Sequence, residues 1–144
     1  MVHVGQELTG SGNILRFIRT ADETDGELLE MASTYREGAA LPTAHFHPAQ
    51  DEHFEVLEGS VTTIIDGVEA SHAAGETFHI PAGAVHQMVG EAGTRLNWQV
   101  RPALRTAEFF EGLYTGSAAA RRGEEFDLAA LLASHTDEIQ FPDD

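Results

Sequence analysis

The chain has 144 residues and 24 acidic against 8 basic side chains, for a net charge of −16. That length fits one domain with a real core. The charge argues against nucleic acid or an anionic membrane as partner, and no apolar run reaches the 18 residues of a membrane span. All eight basic residues are arginine, and cysteine is absent. Thiol catalysis, a disulfide framework and a lysine Schiff base are therefore excluded. The N-terminus lacks a basic region followed by an apolar stretch, so no signal peptide is expected and the cytoplasm is the expected location. Arginine without lysine fits either a GC-rich genome or a salt-adapted host. The second predicts a melting temperature that rises between low and molar salt.

The first expected strand runs from Ile14 to Arg19, followed by a polar turn over 21–26. Glu27 to Tyr35 resumes a strand-like run. Pro42 to His47 and Glu52 to Glu58 are two further strands, split by a bend at Pro48 to Asp51. Val61 to Ile65 and Val68 to His72 flank Asp66-Gly67, the strongest short hairpin signal in the chain. Glu76 to Ile80, Val85 to Val89 and Thr94 to Arg101 bring the expectation to eight or nine short strands. Regular short strands with Gly and Pro turns predict an all-β sandwich or barrel.

After Pro102 the pattern becomes helical. Phe109, Phe110, Leu113 and Tyr114 follow a helical period opened by Thr106 as a cap. Ser117 to Gly123 reads as a second short helix or a loop, and Asp127 caps Leu128 to Ala133. The acidic tail is expected to fray. Residues 103–144 are read as a helical appendage packed outside a barrel spanning about 14–102, with no second domain.

The chemistry concentrates in H-F-H-P-A-Q-D-E and P-A-G-A-V-H. His45, His47, Glu52 and His86 supply three neutral imidazoles and one carboxylate, a good set for one first-row divalent metal. Residues i and i+2 of a strand share a face, so His45 and His47 can both aim inward. A return after the bend brings Glu52 beside them, with His86 arriving from another strand. Gln50 and Asp51 are rival ligands should the bend shift. His53 and His79 have the opposite parity and are read as outward-facing. Phe54, Met88 and Trp98 are candidate walls of a pocket for a small organic ligand.

These residues resemble two motifs of the cupin superfamily. Gly38, His45, His47, Glu52 and Gly59 are similar to the first motif. Gly75, Pro81-Ala82-Gly83 and His86 are similar to the second. Two departures stand out: six residues separate Gly38 from His45, and Gly90 replaces the asparagine that often closes the second motif. The resemblance implies a jelly-roll-like barrel holding one Fe, Mn, Ni, Co or Zn ion per chain. It also implies a homodimer, with Ile14 to Ile18 and the appendage as interface candidates. The implied activity is that of a dioxygenase, isomerase or lyase, with a non-enzymatic ligand- or metal-sensing module as the alternative.

Overall fold

The computed structural model describes residues 2–143. Nine strands and three helices follow one another: β1 (Glu7–Thr9), β2 (Asn13–Arg19), α1 (Ala21–Thr24), β3 (Leu29–Tyr35), β4 (Asp51–Glu58), β5 (Ser60–Ile65), β6 (Val68–Ala73), β7 (Thr77–Ile80), β8 (His86–Gly90), β9 (Arg95–Arg101), α2 (Thr106–Arg121) and α3 (Leu128–Ala133). All strand pairs are antiparallel. One sheet has the order β1-β2-β3-β9-β4-β7 and the other β6-β5-β8. This is the expected jelly-roll-like arrangement with a C-terminal helical appendage.

Asp66 and Gly67 form the expected hairpin turn, with φ of 48° and 82°. Both central residues have positive φ, as a type I′ turn requires. Asp127 caps α3 through its side chain, which accepts from Ala130 N. Two expectations change. The polar stretch after β2 begins with α1, where Thr20 and Glu23 form a capping box. Ser117 to Arg121 continues α2 without a break, because its alanines favour helix and the chain turns only at Arg122 and Gly123.

The unequal sheets explain where the appendage goes. The three-stranded sheet covers only part of the larger sheet's inner face. There Phe54, Val56, Val61, Ile80, Ala84 and Leu96 form one core cluster. A second cluster joins Leu8, Leu15, Phe17, Leu29, Met31 and Val100 to Ala103 and Ala107, with Phe110 and Tyr114 packed against it. Thus α2 covers the inner face of β1–β3 that the small sheet leaves open, and the appendage does not pack outside the barrel as expected. Each large aliphatic or aromatic side chain buried this way contributes about 1.5–3 kcal/mol, so the helix is an integral part of the core. β2 is paired on both sides, by β1 and β3, so Ile14 to Ile18 offers no free edge.

Candidate metal centre

His45 and His47 lie in the connection between β3 and β4. The expected strand from Pro42 to His47 is reduced to two isolated bridges, His45 with His86 and Phe46 with Gln140. The prolines at 42 and 48 lack the N–H that a longer ladder needs. The His45 bridge suffices to set the site. His45 N donates to His86 O at 3.2 Å and His86 N to His45 O at 2.8 Å. His47 O accepts from Gly83 N at 2.9 Å, which ties the second histidine to the turn before β8. The ring-nitrogen ligand atoms of His45, His47 and His86 all lie within 4.8 Å of one another.

One tautomer is imposed on all three rings. The Nδ1 of His45 lies 2.9 Å from Thr43 O, that of His47 2.7 Å from Glu138 O, and that of His86 2.9 Å from Ala84 O. A carbonyl can only accept, so each Nδ1 carries the proton and each Nε2 presents a lone pair. Burial, opposed by the Thr43 carbonyl, pulls His45 down to about 4. Burial lowers His86 as well, against the Ala84 carbonyl. For His47 burial is outweighed by the Glu52 charge and the Glu138 carbonyl, and its pKa is raised.

Glu52 stands at the start of β4, 2 % exposed. Its Oε2 accepts from Trp98 Nε1 at 2.8 Å. Its Oε1 lies 3.1 Å from His47 Nε2 and 3.4 Å from His86 Nε2, yet it is buried without a hydrogen-bond partner. Burial raises the Glu52 carboxyl, but His47, His86 and Trp98 together outweigh it and hold it below the usual carboxylate range. A buried acceptor facing two imidazole lone pairs calls for a positive charge between them. A proton on His47 supplies one; a divalent cation satisfies every donor at once. The residues therefore fit a transition metal.

The rivals to Glu52 are committed elsewhere. Gln50 is buried with its amide donating to Pro102 O, Ala103 O and Thr106 Oγ1. Asp51 is exposed and accepts from Ala82 N. His53 and His79 stack on the outer face, with ring centroids 4.3 Å apart.

The histidines open onto a cavity of about 370 Å³. Met88 and Trp98 line it. Phe54 does not: it is 2 % exposed, stacked between Phe78 and Trp98 in the core behind the wall. Its parity with Glu52 sends it inward, but its register partners Phe78 on β7 and Trp98 on β9 pack against it from both sides. Much of the remaining wall comes from residues that the sequence did not mark as a site, among them Tyr35, Phe109, Phe110, Leu113, Tyr114, Ile139 and Phe141. The apolar stripe of α2 was the signal, without its destination. The tail is also seated, contrary to the expected fraying. Gln140 and Phe46 exchange two backbone hydrogen bonds, of 2.9 and 3.0 Å, and Phe141 packs on the His45 ring at 6.5 Å.

Residues 32–99 match the family model of the Cupin domain. The match ends before α2, so the helices and tail that close the cavity lie outside it. Over 104 residues the chain is 32 % identical to the probable oxidoreductase yanE of Aspergillus niger, covering 64 % of this chain and 40 % of that protein. Over 82 residues it is 30 % identical to quercetin 2,3-dioxygenase of Bacillus subtilis, covering 57 % of this chain and 24 % of that protein. The chain thus spans less than half the length of either. An RmlC-like cupin from Shewanella frigidimarina superposes with a TM-score of 0.61 at 22 % identity, covering 74 % of this chain and 96 % of that one. At that identity the likeness is one of fold.

Proposed function

Because the chain is a small member of the cupin superfamily, we propose that it is a metal-dependent enzyme acting on a small organic molecule, with oxidoreductase chemistry of the dioxygenase kind. The observation that carries this reading is the placement of His45, His47, His86 and Glu52 at the wall of a preformed, largely apolar cavity. A structural site would enclose its ion; this one faces space for a substrate.

His45, His47 and His86 would hold the ion through Nε2, and Glu52 through Oε1. Fe, Mn, Ni, Co and Zn all suit three imidazoles and a carboxylate. Such an ion supplies Lewis acidity toward a substrate oxygen and, where redox-active, reaction with dioxygen. The chain supplies the rest. The carbonyls of Thr43, Ala84 and Glu138 hold the imidazoles in one tautomer. The Trp98 indole fixes Glu52 by its other oxygen, and the aromatic residues of α2 give the site an apolar wall.

The test is oxygen consumption by metal-reconstituted protein against a panel of phenols and diketones, with His86→Ala as control. Uptake of oxygen that depends on both substrate and His86 supports the proposal. Saturable binding of panel compounds without turnover on any reconstituted metal would instead make the protein a ligand-binding module.

A further inference from the structure

Two tyrosines line the cavity, and they differ in one respect. The Tyr114 hydroxyl is committed: it donates to Asn13 Oδ1 at 2.6 Å, and Asn13 in turn donates to Ser33 Oγ at 3.0 Å. The Tyr35 hydroxyl has no hydrogen-bond partner among the described residues, although it lines the same cavity as the histidines. The hydroxyl is not among the buried unpaired polar atoms, so it is open to the cavity and free to donate to water or to an acceptor that displaces it.

Tyr35 is held rigidly. Its N donates to Thr94 O and its O accepts from Gly93 N, both at 2.9 Å. Its ring packs against Gly90, where a Cβ would clash with Cδ2 and stand 2.8 Å from Cε2. The glycine that departs from the second motif is thus the residue that admits this ring. Burial, with Tyr114 and Glu52 nearby, raises the phenol's pKa, so it remains a donor at neutral pH.

The cavity's charge is equally selective. No arginine lines it, and its charged side chains besides histidine are Glu52 and Glu138. Away from the histidines, an anionic group would find no side-chain counter-ion there, within a chain of net charge −16.

We propose that the cavity takes an uncharged, largely apolar organic molecule whose second polar group accepts a hydrogen bond from Tyr35. This deepens the metal-dependent reading and rests on it for the group that meets the histidines. The Tyr35 contact itself is independent of the metal.

Trp98 is the only tryptophan of the chain and lies in the cavity wall, so its fluorescence reports occupancy. Three probes of similar size separate the terms: 3,4-dihydroxyacetophenone, with a neutral acceptor; 4-ethylcatechol, without one; and 3,4-dihydroxybenzoate, an anion. Each is titrated into zinc-loaded protein and into chelator-treated protein, in wild type and Tyr35→Phe. Wild type should favour the acetyl compound over the ethyl one by roughly two- to ten-fold and bind the benzoate most weakly. Tyr35→Phe, with unchanged melting temperature and metal content, should abolish the acetyl preference alone. A preference that survives in Tyr35→Phe, benzoate binding as tight as the acetyl compound's, or no saturable binding of any probe overturns the proposal. Protein that holds metal yet shows no Tyr35-dependent preference refutes this inference alone. Wild type that holds no metal on reconstitution yet shows the Tyr35-dependent preference refutes the metal-dependent reading alone.

Discussion

Stopping the chain after Thr136 removes the part of the appendage that touches the histidines. His47 loses the Glu138 carbonyl that holds its Nδ1 at 2.7 Å. Phe46 loses both backbone bonds to Gln140, and the His45 ring loses Phe141. Two hydrogen bonds at about 0.5–1.5 kcal/mol each give a stability loss of about 1–3 kcal/mol. Phe141 adds little, being 42 % exposed. The larger effect falls on the metal, because an imidazole that loses its Nδ1 acceptor loses both tautomer and orientation. Such losses typically cost 10–100-fold in affinity, or about 1.4–2.7 kcal/mol. Chelator competition at pH 7 measures the affinity, and urea unfolding of the metal-free protein measures the stability separately. Phe141→Ala should leave the affinity within about two-fold, since it spares the Glu138 carbonyl and takes away only an exposed ring. A truncated chain that binds metal as tightly as wild type would show that the tail does not orient His47.

Trp98→Phe keeps an aromatic wall but removes the donor to Glu52 Oε2. Chelator competition should show metal affinity reduced about ten-fold or more. Phe54→Ala empties a core site and should cost about 3–5 kcal/mol in urea unfolding, while metal stoichiometry by mass spectrometry stays unchanged. In the metal-free protein, His45 is held neutral down to about 4, whereas unfolded histidine titrates near 6.5. The unfolded state therefore takes up this proton first, and the stability His45 leaves intact above about 6.5 is lost as pH falls toward 4. His86 acts in the same direction and His47 opposes it. Metal-free His45→Asn should accordingly lose less stability than wild type between pH 6.5 and 4, as followed by urea midpoints.

The ligand-type residues were legible because their information is local. His45 and His47 share a side through a spacing of two even though only a bridge forms there, and the P-x-G turn places His86 opposite. The Asp66-Gly67 hairpin and the Asp127 cap are likewise short-range chemistry. The appendage was legible as helix but not as wall. A stripe of Phe109, Phe110, Leu113 and Tyr114 states that a face is buried, not against what. Its destination follows from the small sheet having three strands where the large one has six, a tertiary fact. Phe54 shows the limit of strand parity: it assigns a residue to the inner face but does not say whether neighbours close over it. The tail reads as polar and acidic, and what seats it is long-range: the pairing of Gln140 with Phe46 and the Glu138 carbonyl on His47.

The enzyme chemistry proposed for the cavity depends on His45, His47, Glu52 and His86 holding one metal ion. Plasma mass spectrometry on untagged protein, beside the His45→Ala/His86→Ala double variant, tests it most directly. Wild type should carry close to one equivalent of a transition metal per chain, and the variant should lose it. Wild type that holds no metal after reconstitution with Fe, Mn, Ni and Zn, or a double variant that holds as much as wild type, would contradict it.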